Sequence, residues 1–110
     1  MHCEIRREAD HAVVELGGEI DLSTSPKARQ AILGSLAGKR PVAVEMSGVT
    51  YIDSSGVASL VEGYQTARSQ GTPFALVGVS EAARGVLELA RLDKVFPIYQ
   101  TVPEFLADGR

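Results

Sequence analysis

The chain has 110 residues, 45% hydrophobic and 23% charged, which suits an ordinary globular domain whose core needs no disulfide or metal. Its formal charge of −3, from 11 Lys+Arg against 14 Asp+Glu, argues against a strongly basic nucleic-acid binder. No apolar run approaches the ~20 residues of a membrane span, the opening MHCEIRREAD has no apolar stretch to serve as a secretory signal, and Cys3 has no partner for an internal disulfide. These features predict one domain over residues 1–110 in the cytoplasm, with no nucleic-acid partner and no direct membrane insertion.

Residues 3–8 (CEIRRE) and 12–17 (AVVELG) read as two short strands around the polar joint Asp10-His11, the second ended by Gly17-Gly18. Ser23, Thr24 and Ser25 are cap candidates for a helix in which Pro26 suits the first position and Ala28, Ile32, Leu33 and Leu36 form the apolar stripe. Residues 42–46 (VAVEM) have the apolar character of a central strand buried on both faces. The loop SGVTYIDSSG leads to a second helix, with Val57, Leu60, Val61, Tyr64 and Ala67 as its stripe and Gly71 as its stop. Phe74 to Val77 is the next buried strand. Ser80 caps a helix carrying Ala83, Val86, Leu87 and Ala90. Val95 to Tyr99 is a last strand, and residues 101–106 open a short closing helix. Alternating strands and helices predict an α/β fold: a small, mostly parallel β-sheet with an N-terminal antiparallel edge hairpin and about four helices mainly on one face.

Most catalytic signatures are missing. There is no G-x-x-x-x-G-K-S/T phosphate loop, no G-x-G-x-x-G, and no glycine ahead of Ser54 or Ser55 to make a nucleophile elbow. His2 and His11 read as solvated strand-edge residues rather than metal ligands, and no histidine is expected near Ser54 or Ser55 to complete a hydrolase triad. The informative segment is Asp53-Ser54-Ser55-Gly56, directly before an amphipathic helix. One Asp or Ser there makes an N-cap, yet three capping residues stand in a row at the C-terminal end of a predicted central strand, where open α/β sheets place functional sites. A first-turn serine also suits a phosphate, because the helix terminus favours an anion. Gly18-Glu19-Ile20-Asp21 reads as an acidic turn. In a parallel arrangement it opens at the same end of the sheet, so that Asp21 and Asp53 frame the serines.

These segments carry a family resemblance. Residues 14–21 (VELGGEID), 44–57 (VEMSGVTYIDSSGV) and 92–96 (LDKVF), in this order, resemble the STAS domain, and the chain is most similar to the stand-alone bacterial anti-sigma factor antagonists. The resemblance implies a small sheet with helices on one face and a non-enzymatic regulator that takes no cofactor. It implies phosphorylation at Ser55, the second serine of D-S-S-G, with Ser54 as the second candidate, by a GHKL-type kinase that is itself the anti-sigma factor. The unphosphorylated protein would bind that kinase and free a sigma factor for transcription, and a PP2C-type phosphatase would reset it. Asp21 and Asp53 match the family's acidic positions beside the serine. Glu45 stands where Asp is common, and Arg91 where Gly is common. The expected partner surface comprises Glu19, Asp21, Ser54, Ser55 and Gly56, together with Ser59, Glu62 and Gly63, which lie off the apolar stripe and are expected to face solvent. Two other readings stand beside this one: a STAS subunit docked on a phospholipid ABC-type transporter, and a small serine hydrolase using Ser55.

Overall fold

The computed structural model describes residues 1–108. In chain order the elements are β1 (His2–Glu8), β2 (His11–Ile20), α1 (Ser25–Leu36), β3 (Val42–Ile52), α2 (Ser54–Gln70), β4 (Phe74–Val77), α3 (Glu81–Leu89), β5 (Ile98–Tyr99) and α4 (Val102–Asp108). The five strands form one sheet in the order β1-β2-β3-β4-β5. The β1–β2 pair is antiparallel and the other pairs are parallel.

Alternate residues of the central strands point to opposite faces. Val14, Leu16, Val42, Val44, Met46 and Leu76 pack with residues of α1, α2 and α3. Val13, Ala43, Ala75 and Val77 pack with Val102 and Phe105 of α4. Three helices therefore share one face, and α4 covers part of the other. Beyond α4 that second face is polar, with Arg6 donating to Glu8 (2.7 Å) and to Glu15, and His2 lying 2.9 Å from Glu15.

Four expectations need correction. The glycine pair does not end β2. The strand runs on to Ile20 through two register irregularities against β3, with Gly18 at φ 77°, so the glycines mark bulged pairing rather than a terminus. Likewise β3 does not stop at residue 46. Its second half pairs with β2 alone, since β4 ends opposite Glu45, and Val49 and Ile52 keep an apolar side buried. Finally, His11 is not a solvated edge residue. It is 7% exposed and meets the Phe105 ring edge-on at 5.4 Å, and neither ring nitrogen has a hydrogen-bond partner among the described residues. The last strand is also shorter than expected: only Ile98 and Tyr99 pair, with Phe96 buried ahead of them.

Helix boundaries follow capping chemistry. Pro26 lies in the first turn of α1, Gly71 closes α2 at φ 72°, and the Ser80 hydroxyl accepts the Ala83 N–H (3.2 Å) to start α3. The exception is α1, where Thr24 occupies the cap position without a side-chain cap bond. Asp21 folds the turn ahead of it, its Oδ1 accepting from the Ser23 and Thr24 N–H groups at 3.0 and 3.2 Å and its backbone carbonyl accepting the Ser25 N–H at 2.8 Å.

Candidate functional site

The C-terminal ends of β2 and β3 deliver two loops to one end of the sheet. Ile20 and Ile52 are paired in register, and the Asp53 N–H donates to the Ile20 carbonyl at 3.1 Å. Asp21 and Asp53 are therefore neighbours, and the charge of Asp21 works against ionisation of Asp53.

Asp53 is the N-cap of α2. Its backbone is extended (φ −108°, ψ −171°), and one carboxylate oxygen, Oδ1, accepts three hydrogen bonds. These come from the Ser55 N–H (2.9 Å), the Gly56 N–H (3.3 Å) and the Ser55 hydroxyl (2.6 Å). The Ser55 hydroxyl bond, above all, holds the Asp53 carboxyl below its ordinary range despite partial desolvation and the nearby Asp21. Asp21 is lowered in the same way, first by the Ser23 hydroxyl, which donates to its Oδ1 at 2.8 Å. Both carboxylates are thus ionised at neutral pH, and each is already engaged by its own loop.

The expected site residues sort by exposure. Glu19 and Ser54 are exposed, while Asp21, Asp53, Ser55 and Glu62 are half-buried. Gly56, Ser59 and Gly63 are buried, which corrects the expectation that Ser59 and Gly63 face solvent. Ser59 is 6% exposed, and its hydroxyl donates to the Ser55 carbonyl at 3.2 Å. A Cβ on Gly63 would lie 2.6 Å from Ile32 Cγ2 of α1. The reason is that α2 packs on two sides, against the sheet and against α1. Its stripe of large side chains marks the first contact only. Solvent instead meets Ser54, Ala58 and Gln65.

Two exposed apolar side chains at this end had no assigned role: Leu22, 78% exposed, in the β2–α1 loop, and Tyr51, 50% exposed, paired with Glu19. Alternation in residues 49–52 was the available signal for Tyr51, and it became readable only once β3 was known to extend that far. Among the described residues, no group of three or more His, Cys, Asp or Glu is placed to hold a metal ion. No helix among them is long and apolar enough to cross a membrane. His2 lies 2.9 Å from Glu15 and His11 packs on Phe105, and the hydrogen bonds of Ser55 run to Asp53 and Ser59, so no imidazole is bonded to that serine among the described residues.

The arrangement is a half-exposed serine hydroxyl, oriented by a capping carboxylate, within an acidic and partly apolar surface. The STAS domain family model matches residues 2–105, and the chain belongs to that family. It is 32% identical over 107 residues to the anti-sigma-F factor antagonist RsfB of Mycobacterium tuberculosis, covering 93% of this chain and 86% of the relative. The crystal structure of an anti-sigma factor antagonist from Mycobacterium paratuberculosis superposes with a TM-score of 0.87 at 30% identity, covering 99% of this chain and 93% of that one. The fold is equally close to that of a putative anti-sigma factor antagonist from Thermotoga maritima, with a TM-score of 0.88 at 24% identity over 98% of this chain and 94% of the other.

Proposed function

We propose that this chain is an anti-sigma factor antagonist whose grip on its anti-sigma partner is set by phosphorylation of Ser55. The observation that carries this reading is the Asp53–Ser55 bond of 2.6 Å, which presents one hydroxyl in a fixed direction at the half-exposed start of α2. Ser54, which is exposed, has no comparable restraint among the hydrogen bonds that hold this turn. In the transfer step, Ser55 Oγ attacks the γ-phosphorus of ATP bound to the partner kinase, an Oγ–P bond forms, and ADP leaves. The hydroxyl proton, which Ser55 donates to Asp53 Oδ1 in the free protein, is given up to a base as the Oγ–P bond forms. A PP2C-type phosphatase reverses the modification by hydrolysis. The protein itself acts as a binding module.

The contact surface follows from exposure: Glu19, Leu22, Tyr51, Ser54, Ser55 and Ala58, with Gly56 and Gly63 serving from below as packing. Leu22 and Tyr51 provide the apolar area that an interface core needs. Phosphate adds roughly −1.5 to −2 charges beside Asp21 and Asp53. Burying that charge where a neutral hydroxyl had docked costs several kcal/mol, and about 2.7 kcal/mol already corresponds to a hundredfold loss of affinity.

The test is calorimetry against the anti-sigma kinase encoded in the same genome, with ADP present. Unmodified protein and Ser55→Ala bind alike. Ser55→Asp binds more weakly, and the phosphorylated protein more weakly still. Equal affinity for all four forms refutes the switch and turns attention to docking on a transporter.

A further inference from the structure

The groove between α1 and α2 opens directly onto Ser55. Ser25, Arg29, Ser55, Ala58 and Glu62 are among its lining residues, and Arg29 is the cation among them. Arg29 makes a forked pair across the groove, Nε to Glu62 Oε1 at 2.7 Å and Nη2 to Glu62 Oε2 at 2.8 Å. The pair is surface-borne, with side-chain exposures of 50% and 42%, so nothing encloses it in its present geometry.

We propose that Arg29 is a phosphate clasp: when Ser55 carries phosphate, the guanidinium leaves Glu62 and forks onto the phosphate oxygens. This rests on the reading of Ser55 as the modified residue. Ser55 and Glu62 are seven residues apart on one helix, about 10 Å along its axis. Helical side chains lean toward the N-terminus, so the Glu62 carboxylate, and the guanidinium it holds, sit over the turn between them. The remaining gap is about one turn, ~5 Å, within the swing of an arginine side chain. The charged groups around the modified serine are Asp53 from its own loop, Asp21 from the β2–α1 loop, Glu62 from two turns further along α2, and Arg29 from α1. Three are anions, so Arg29 is the one cation that the groove's lining offers to an added dianion. Arginine binds phosphate as a planar fork and gains more from a dianion than from one carboxylate.

The consequence is a signal written at two places on α2. Phosphate occupies the first turn, and the Glu62 carboxylate, released from its partner, becomes a bare charge two turns further along. A partner surface built against the neutral pair meets both changes at once.

The experiment installs phosphoserine at position 55 by genetic code expansion, so it needs neither kinase nor anti-sigma factor. Phosphorus NMR at 0.15 M salt titrates the phosphate, whose second pKa is ordinarily about 6. Arg29→Gln is expected to raise that pKa by roughly half a unit or more, since a paired cation favours the dianion. Arg29→Lys gives a smaller rise, and Glu62→Gln lowers the pKa by freeing the arginine. The Arg29 Nε–H resonance should move between unmodified and phosphorylated protein. A rise below 0.1 unit in Arg29→Gln, or an unmoved Arg29 resonance, overturns the clasp. Calorimetry against the anti-sigma kinase judges the switch separately, so the clasp can fail while the switch stands.

Discussion

Gly56 closes the Asp-Ser-Ser-Gly run, and the structure supplies a reason for it that differs from backbone freedom. Its φ is not positive. A Cβ added there would lie 2.7 Å from Ile52 Cγ1 and 2.8 Å from Ile20 Cγ2, at the ends of β3 and β2. Both neighbours are β-branched and stiff at χ1, so relief must come from lifting the first turn of α2. Overpacking of this kind costs about 1–3 kcal/mol. Alanine recovers up to about 1 kcal/mol of helix propensity. With full recovery Gly56→Ala should therefore lose between nothing and about 2 kcal/mol net, and a domain near this size loses roughly 4–8 °C in Tm per kcal/mol. Gly34→Ala is the internal control: it lies within α1 with nothing within 4 Å of its Cβ position, and should gain about 0.5–1 kcal/mol. Urea unfolding followed by far-UV circular dichroism measures both. Equal gains in the two variants would refute the packing argument. The same lift displaces the Asp53–Ser55 bond, so Gly56→Ala should also slow phosphate transfer to Ser55.

Three further predictions concern stability. His11→Phe keeps the ring contact with Phe105 and removes two buried nitrogens without partners among the described residues; urea unfolding should show a gain of about 1 kcal/mol. Arg91 holds φ 60°, a left-handed conformation that costs a non-glycine residue about 1–2 kcal/mol, and glycine's greater chain entropy returns part of that, so Arg91→Gly should raise the unfolding midpoint by an amount equivalent to about 0.5 kcal/mol. The carboxyls of Asp21, Asp53, Glu15 and Glu62 are all lowered in the fold, by the Ser23 hydroxyl, the Ser55 hydroxyl, His2 and Arg29 respectively as the leading causes. Their contribution is complete above the ordinary carboxylate values near 4 and is lost as pH falls through the lowered values. Thermal melts should therefore be flat in this respect from pH 7 to about 5 and decline below about 4, and a Tm that rises on acidification would contradict the assignment.

How far the sequence could be read depended on how many sides each element buries. The inner parts of β2, β3 and β4 bury both faces, so their apolar runs announced central parallel strands. The outer half of β3 pairs on one side only, and its exposed Ser47, Gly48, Thr50 and Tyr51 imitate a loop. On α2 the large residues facing the sheet were legible. The α1 contact was not, because close helix approach selects small residues, and Ser59 and Gly63 then look like surface. The cap at Asp53 was legible from residue type and position. The part Asp21 plays in folding the turn ahead of α1 was not, since an acidic residue three positions ahead of the cap has the same appearance in a solvated turn.

The four residues of the Asp-Ser-Ser-Gly run thus answer to different physics. Asp53 anchors the helix and aims a hydroxyl, Ser54 meets solvent, Ser55 donates to Asp53 at 2.6 Å, and Gly56 leaves room for two isoleucines. A regulator that changes affinity without refolding needs this division. The carboxylate already satisfies the Ser55 and Gly56 N–H groups, so phosphate arriving at Ser55 is not required to hold the helix, and its departure does not release it. The anion at the helix start contributes at most about 0.3–1 kcal/mol of dipole stabilisation, offset by Asp21 and Asp53. Stability is therefore nearly blind to the modification, while a partner that covers the same surface must desolvate the whole added charge. The proposed switch at Ser55 rests on that asymmetry, a small effect on folding and a large one on binding.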